Sequence, residues 1–173
     1  MGSDGTSSGG SNGGYILWYQ HGMPVQDYEV TAKIQFVRST APDSFYPNDW
    51  EFGIMVRGDG NLNGYEGGIV GGNGGGCFSN SPEAIIALVQ QDDRTTGCDS
   101  DNGKVLQEVA YTLDNNVHTY LVKVQGNIIQ LFLDGQSQPL LSTTDNTMIQ
   151  SGRVGLRSVN DDMNALSFTV TAL

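Results

Sequence analysis

Asp49 and Glu51 are the sharpest candidates for chemistry in this chain. Side chains two apart on a strand leave the same face, and a carboxylate pair about 5 Å apart is what retaining glycoside hydrolysis uses. Asp49 follows Pro47-Asn48, so it fits equally well as a turn cap ahead of the strand. The sequence has no Gly-x-Ser-x-Gly, His-Glu-x-x-His or phosphate loop, which leaves serine, zinc and nucleotide chemistry without support.

The same stretch can bind rather than react. Arg57 offers a planar fork of donors, Trp50 and Tyr65 offer flat rings for the C–H face of a sugar, and Asp59, Asn61, Asn63 and Glu66 offer carboxylates and amides for vicinal hydroxyls. Phe52, Ile54 and Val56 must face a core, so Arg57 is expected to face away from it, beside a Gly-rich loop. The structural alternative has Trp50 and Tyr65 covering a sheet edge and Arg57 pairing with Glu51. Arg57-Gly58-Asp59 also spells a tripeptide similar to integrin-binding loops, which the need for glycine where a strand enters a turn explains.

Asp99-Ser100-Asp101-Asn102-Gly103 places Asp99 and Asp101 like the first ligands of a calcium loop, although the twelfth position is Ala110 rather than Glu. Asp92, Asp93, Asp161 and Asp162 are further hard oxygen donors, and a solvated acidic loop is the alternative. His118, after Asn115-Asn116, is expected to be a packed or turn-bonded imidazole, and His21 has no partner in the pattern. Cys77 and Cys98 sit in polar, Gly-rich loops on either side of Ala84–Val89 rather than at apolar strand positions, which reads as a disulfide and hence a secreted or cell-surface location. Without a nearby histidine, two thiols do not make a zinc site.

The elements that must position these residues are strands. Tyr28, Val30, Ala32, Ile34 and Phe36 alternate with Glu29, Thr31, Lys33 and Gln35, and Leu166, Phe168, Val170 and Ala172 alternate with Ser167, Thr169 and Thr171. Further strands are expected over 15–20, 50–57, 65–70, 84–90, 105–111, 118–124, 128–133 and 153–158, with Gly126-Asn127 and Asp134-Gly135 as tight turns. No apolar 3.6-residue period persists over three turns. Residues 1–14, rich in Gly and Ser, read as a flexible linker, leaving 15–173 as one domain.

Eight Lys and Arg against 19 Asp and Glu give a net charge of −11, which repels phosphate backbones, so no nucleic-acid partner is expected. No stretch is apolar enough for a membrane span, so no membrane insertion is expected. Charged residues make up only 16% of a chain with 24 glycines, a composition suited to a turn-rich β protein. Regular short strands allow an immunoglobulin-like sandwich or a jelly roll. The length favours the jelly roll, because an immunoglobulin domain closes in about 100 residues around a buried Cys pair.

Asp27-Tyr28-Glu29-Val30, Phe52-Gly53-Ile54-Met55-Val56-Arg57, His118-Thr119-Tyr120, Ile129 to Gly135 and Ser151-Gly152-Arg153-Val154-Gly155-Leu156, in that order, resemble the concanavalin A-like lectin/glucanase superfamily, nearest its laminin-G-like and sugar-binding-module branches. The resemblance covers roughly residues 15–173 and implies a two-sheet antiparallel jelly roll. It also implies an extracellular location, attachment to a larger surface protein, glycans on the concave sheet or rim loops, and a structural Ca2+. Hydrolases of the superfamily carry Glu-x-Asp-x-x-Glu on a strand, and the matching stretch after Asp49 lacks a third acid. The reading is therefore a non-catalytic, lectin-like module for a poly- or oligosaccharide. Its rivals are a structural or adhesion module of a surface fibre or virion, and a glycoside hydrolase.

Overall fold

The computed structural model describes residues 6–9, 14–19, 22–40, 50–61, 63–71, 82–89 and 103–173. Among these, every regular element is a strand: β1 (Thr6–Gly9), β2 (Gly14–Trp18), β3 (Tyr28–Ser39), β4 (Trp50–Gly58), β5 (Gly64–Gly71), β6 (Glu83–Val89), β7 (Gly103–Ala110), β8 (Val117–Gln125), β9 (Ile128–Leu133), β10 (Leu141–Thr144), β11 (Arg153–Val159) and β12 (Asp161–Ala172).

They form two antiparallel sheets, one in the order β1-β2-β11-β4-β5-β6-β7 and the other β10-β9-β8-β3-β12. Between the sheets lies the main core. Phe52, Ile54, Val56, Ile69, Ile86 and Leu156 from the seven-stranded sheet meet Tyr28, Val30, Ile34, Val122, Val124 and Leu131 from the five-stranded one. The strands alternate as expected because each presents an apolar row to this layer. Gly126 (φ +59), and Asp134 and Gly135 (φ +50 and +71), supply the left-handed conformations of the two anticipated turns.

Two features depart from simple alternation. Central strands β4 and β5 are buried along their whole length, so their outer faces are covered as well as their inner ones. Thr6–Gly9, inside the segment read as a linker, pairs with β2 through Thr6↔Trp18 to Gly9↔Tyr15.

Two β-bulges explain where Leu166 and Arg57 stand. In β12 the register slips between Ala165 and Ser167, so Leu166, expected inward, is the extra residue and stands 58% exposed. In β4, Met55 pairs with Gly155 but Gly58 pairs with Arg153, so Val56 and Arg57 together oppose Val154. Arg57 takes up the extra length with a φ of +52. This left-handed turn of the backbone swings its side chain off the pleat's outer face, and Arg57 is 2% exposed instead of facing solvent.

Candidate functional site

Arg57 closes one end of the sandwich. Its Nη2 donates to the carbonyls of Gly126 (2.6 Å) and Gln26 (3.2 Å), and its Nη1 donates to that of Met148 (3.4 Å). Three connecting segments are thereby held to one buried cation. Tyr65, expected as an exposed platform, faces the core. Its hydroxyl donates to Asp145 Oδ1 at 2.5 Å and accepts the Met148 N–H at 2.9 Å. Burial, followed by the Asp145 carboxylate, pushes this phenol up to about 12. Trp50 is buried at the other end, in a stack with Phe36 (centroids 4.7 Å apart) and Phe52 (6.1 Å). Arg57, Tyr65 and Trp50 therefore cannot present the ligand-facing surface expected of them, and the buried guanidinium removes the integrin-like reading.

The remaining candidates gather on an exposed rim. Asp59 accepts the Asn61 N–H at Oδ1 (2.8 Å) and the Asn63 side-chain amide at Oδ2 (2.6 Å), while its own N–H donates to the Asn63 carbonyl (3.1 Å). Burial works to raise the Asp59 carboxyl, but the Asn63 and Asn61 donors outweigh it and hold the group below its usual range. Gly60 supplies the φ of +89 that this tight loop needs, with the Arg153 guanidinium 3.0 Å from where its Cβ would stand. Trp18 anchors the loop by donating its indole N–H to the Asn61 carbonyl at 2.9 Å. The next residue, Tyr19, is 52% exposed, and its N–H bonds the Val154 carbonyl beside Arg153.

Glu66 lies apart from this rim, on the outer face of the seven-stranded sheet, and is fully buried. Arg157 Nη1 stands 2.6 Å from Glu51 Oε2 and 2.7 Å from Glu66 Oε2. Glycine at position 53 makes this possible. A Cβ there would come within 2.5 Å of Glu66 Oε1, so the glutamate lies over bare backbone of β4 to reach Arg157 on β11. Among the described residues Glu66 Oε1 has no hydrogen-bond partner. Glu51 thus finds a second acid, but one from the neighbouring strand, and both carboxylates are held by the same cation.

Sequence reasoning missed Trp18, Arg157 and Tyr19. An arginine in the middle of the apolar run Val154 to Val159 was the available signal for Arg157; finding its partners required strand order. His118 is turn-bonded as expected, between Asp134 (Nδ1 to Oδ2, 2.7 Å) and Asp114 (Nε2 to Oδ1, 2.9 Å). Asp162 pairs with Arg38 at 2.7 Å, and Asp161 accepts the Ser158 hydroxyl at 2.6 Å. Asp49, Asp92, Asp93, Asp99, Asp101, His21, Cys77 and Cys98 lie outside the described residues. Among the described residues, no three His, Cys, Asp or Glu side chains converge as a metal site, so a structural Ca2+ finds no ligand set there.

No family model and no curated protein matches the sequence. Solved structures do resemble the fold. The carbohydrate-binding module CBM66 from Bacillus subtilis superposes with a TM-score of 0.65 at 14% identity, over 98% of this chain and 92% of that one. The exoplasmic/lumenal domain of VIP36 in its Ca2+/Man2-bound form gives 0.64 at 11% identity, over 92% and 72% of the two chains. A β-1,3-glucanase from Mycobacterium marinum gives 0.53 at 12% identity, over 90% and 67%. The fold of this chain is the concanavalin A-like jelly roll that these binding modules, lectins and hydrolases share.

Proposed function

We propose that the chain is a non-catalytic, extracellular carbohydrate-binding module whose ligand site is the rim carrying Asp59, Asn61, Asn63, Arg153 and Tyr19. The observation that carries this reading is the loop ordered around the Asp59 carboxylate, which is exposed yet already braced by Asn61 and Asn63. Such a loop binds hydroxyls at little ordering cost. Tyr19 adds an exposed ring able to lie against a sugar's C–H face. Arg57, two residues before Asp59, ties down the segments at Gln26, Gly126 and Met148, and Tyr65 holds Asp145 and Met148.

A glycan array, run with and without calcium, tests the reading on the intact chain. Asp59→Ala should weaken binding to any positive glycan by about tenfold or more, the equivalent of losing one charge-assisted hydrogen bond. Undiminished binding by both Asp59→Ala and Tyr19→Ala would remove the rim as the site. The extracellular part of the proposal predicts a Cys77–Cys98 disulfide. Two alkylated thiols in the intact mass under denaturing, non-reducing conditions would count against it. Calcium at Asp99 and Asp101 would show as a melting temperature that falls on chelation.

The glycoside-hydrolase reading has one observation in its favour, the convergence of Glu51 and Glu66. The geometry supports it less well than binding. Hydrolysis needs the two carboxyl groups to flank a glycosidic bond, whereas here both side chains are buried and bound to the same guanidinium.

A further inference from the structure

We propose that the sugar taken by the rim is an acidic one, whose carboxylate is held by Arg153; this rests on the carbohydrate-binding reading of the same rim.

Among the described residues, every arginine but Arg153 is engaged. Arg38 meets the Asp162 carboxylate at 2.7 Å, Arg57 spends its fork on three carbonyls, and Arg157 lies between Glu51 and Glu66. Arg153 has no hydrogen-bond or ion-pair partner among the described residues. The chain is rich in carboxylates, with 19 Asp and Glu against eight Lys and Arg. A guanidinium left without one of them is a donor set open to a carboxylate from elsewhere.

Packing, not pairing, fixes this guanidinium. Arg153 sits opposite Gly58, where β11 enters its ladder with β4. A Cβ on Gly60 would stand 3.0 Å from both Cζ and Nε of Arg153 and 3.1 Å from Nη1, so the planar group lies against bare loop backbone. Gly60 keeps that backbone bare, since its φ of +89 disfavours any L side chain. The loop is itself held, by the Trp18 indole on the Asn61 carbonyl and by the Asp59 carboxylate on the Asn61 and Asn63 amides. A fork ordered before the ligand arrives loses little freedom on binding, and its shape matches a carboxylate at two points. The residue is half-buried, and partial removal from water strengthens such a pair.

The surroundings also limit how acidic the ligand can be. Asp59 shares the loop, and the whole chain carries a net charge of −11, so a sulfated or uniformly uronic polymer is repelled along its length. A single carboxylate at the end of an otherwise neutral glycan needs only one guanidinium. The class that fits is therefore an oligosaccharide ending in one uronate-type sugar.

Titration calorimetry of the intact chain with oligosaccharides ending in glucuronate or galacturonate, each beside its carboxyl-reduced counterpart, is the test. The acid forms should bind about tenfold or more tightly than the reduced ones, with the gap narrowing as salt is raised. Arg153→Gln breaks no bond among the described residues, so it should close the gap at an unchanged melting temperature. Arg153→Lys should restore part of it, keeping the charge without the fork. Equal binding of acid and reduced forms by the wild type overturns the proposal, and so does a preference for the acid that Arg153→Gln leaves intact. Neutral glycans bound, with a loss at Asp59→Ala, would keep the rim as the sugar site and remove only the acidic class. No binding of any pair or any arrayed glycan would remove both.

Discussion

The hydroxyl oxygen of Tyr28 accepts the backbone N–H of Arg57 at 2.8 Å, across the gap between the two sheets. Tyr28 is on β3 and Arg57 ends β4, so this bond satisfies a donor that the bulge frees from the ladder with β11. Burial, partly opposed by Arg57, pushes the Tyr28 phenol up to about 12, and it stays a neutral acceptor throughout the ordinary pH range. Tyr28→Phe should therefore cost about 1–3 kcal/mol, the penalty of a buried N–H left without a partner. Urea denaturation would measure it, and a loss no larger than that of an exposed Tyr→Phe control would refute the bond's role.

Arg57→Ala should cost more than Tyr28→Phe, since three carbonyls lose their donor together. Stability and glycan affinity should fall together because the rim loses its support. Arg57→Lys keeps the charge but cannot reach three carbonyls with a planar fork, so it should recover only part of either. Full recovery by lysine would mean that charge, and not the fork, is what the end of the sandwich requires.

Arg157→Met should be among the most damaging substitutions in the chain. It leaves Glu51 and Glu66 buried beside one another without a cation, and breaking a buried pair in this way costs about 3–5 kcal/mol. Glu66→Gln keeps the shape and leaves one carboxylate for one guanidinium, so its cost should be far smaller. Equal losses for the two variants, measured by denaturant midpoint, would show that packing rather than charge holds this outer face together.

Alternation of apolar and polar residues was enough to locate strands such as β3, β4, β9 and β11 to within two residues, because a strand with one buried face leaves that mark in its sequence. The short and polar β1 and β10 leave no such mark. Of the side chains that the reading misplaced, Arg57 and Leu166 share one cause. Each lies at a bulge, and one inserted residue reverses every inference drawn from parity. The rim residues Asp59, Asn61 and Asn63 were legible because an Asx-rich loop organises itself locally. The Glu51–Arg157–Glu66 cluster was not, since it depends on β11 lying beside β4, a fact of strand order that no local pattern carries.

Asp161 should make the fold less stable as pH rises from about 4 to about 7. Burial, partly offset by the Ser158 hydroxyl, pushes its carboxyl up from 3.8 to about 7. In that window the folded chain keeps a proton that the unfolded chain has released, so stability falls with increasing pH. Asp161→Asn should flatten this part of the profile and raise stability above pH 7. An unchanged slope would rule out Asp161 as its source.

His118 should add a second decline at higher pH. A neutral imidazole donates from one nitrogen only, so just the cation can serve both Asp134 and Asp114. Burial pulls the His118 pKa down, but the bonds to Asp134 and Asp114 prevail and hold it above 6.5. The groups around it share this outcome: Asp134 and Asp114 are held below 3.8, while Tyr111 and Tyr120 are raised, mainly by burial. A raised folded pKa means that the clasp contributes fully below 6.5 and is lost as pH rises through the folded value. The two aspartates work the other way, contributing above 3.8 and losing their share as pH falls through their depressed values. Denaturant midpoints from about pH 4 to about pH 9 would trace both limbs. His118→Gln should abolish the decline above 6.5, and Asp134→Asn should shift it toward lower pH by removing the nearer carboxylate. A His118→Gln variant that still loses stability above 6.5 as the wild type does would show that the imidazole is not the group titrating there.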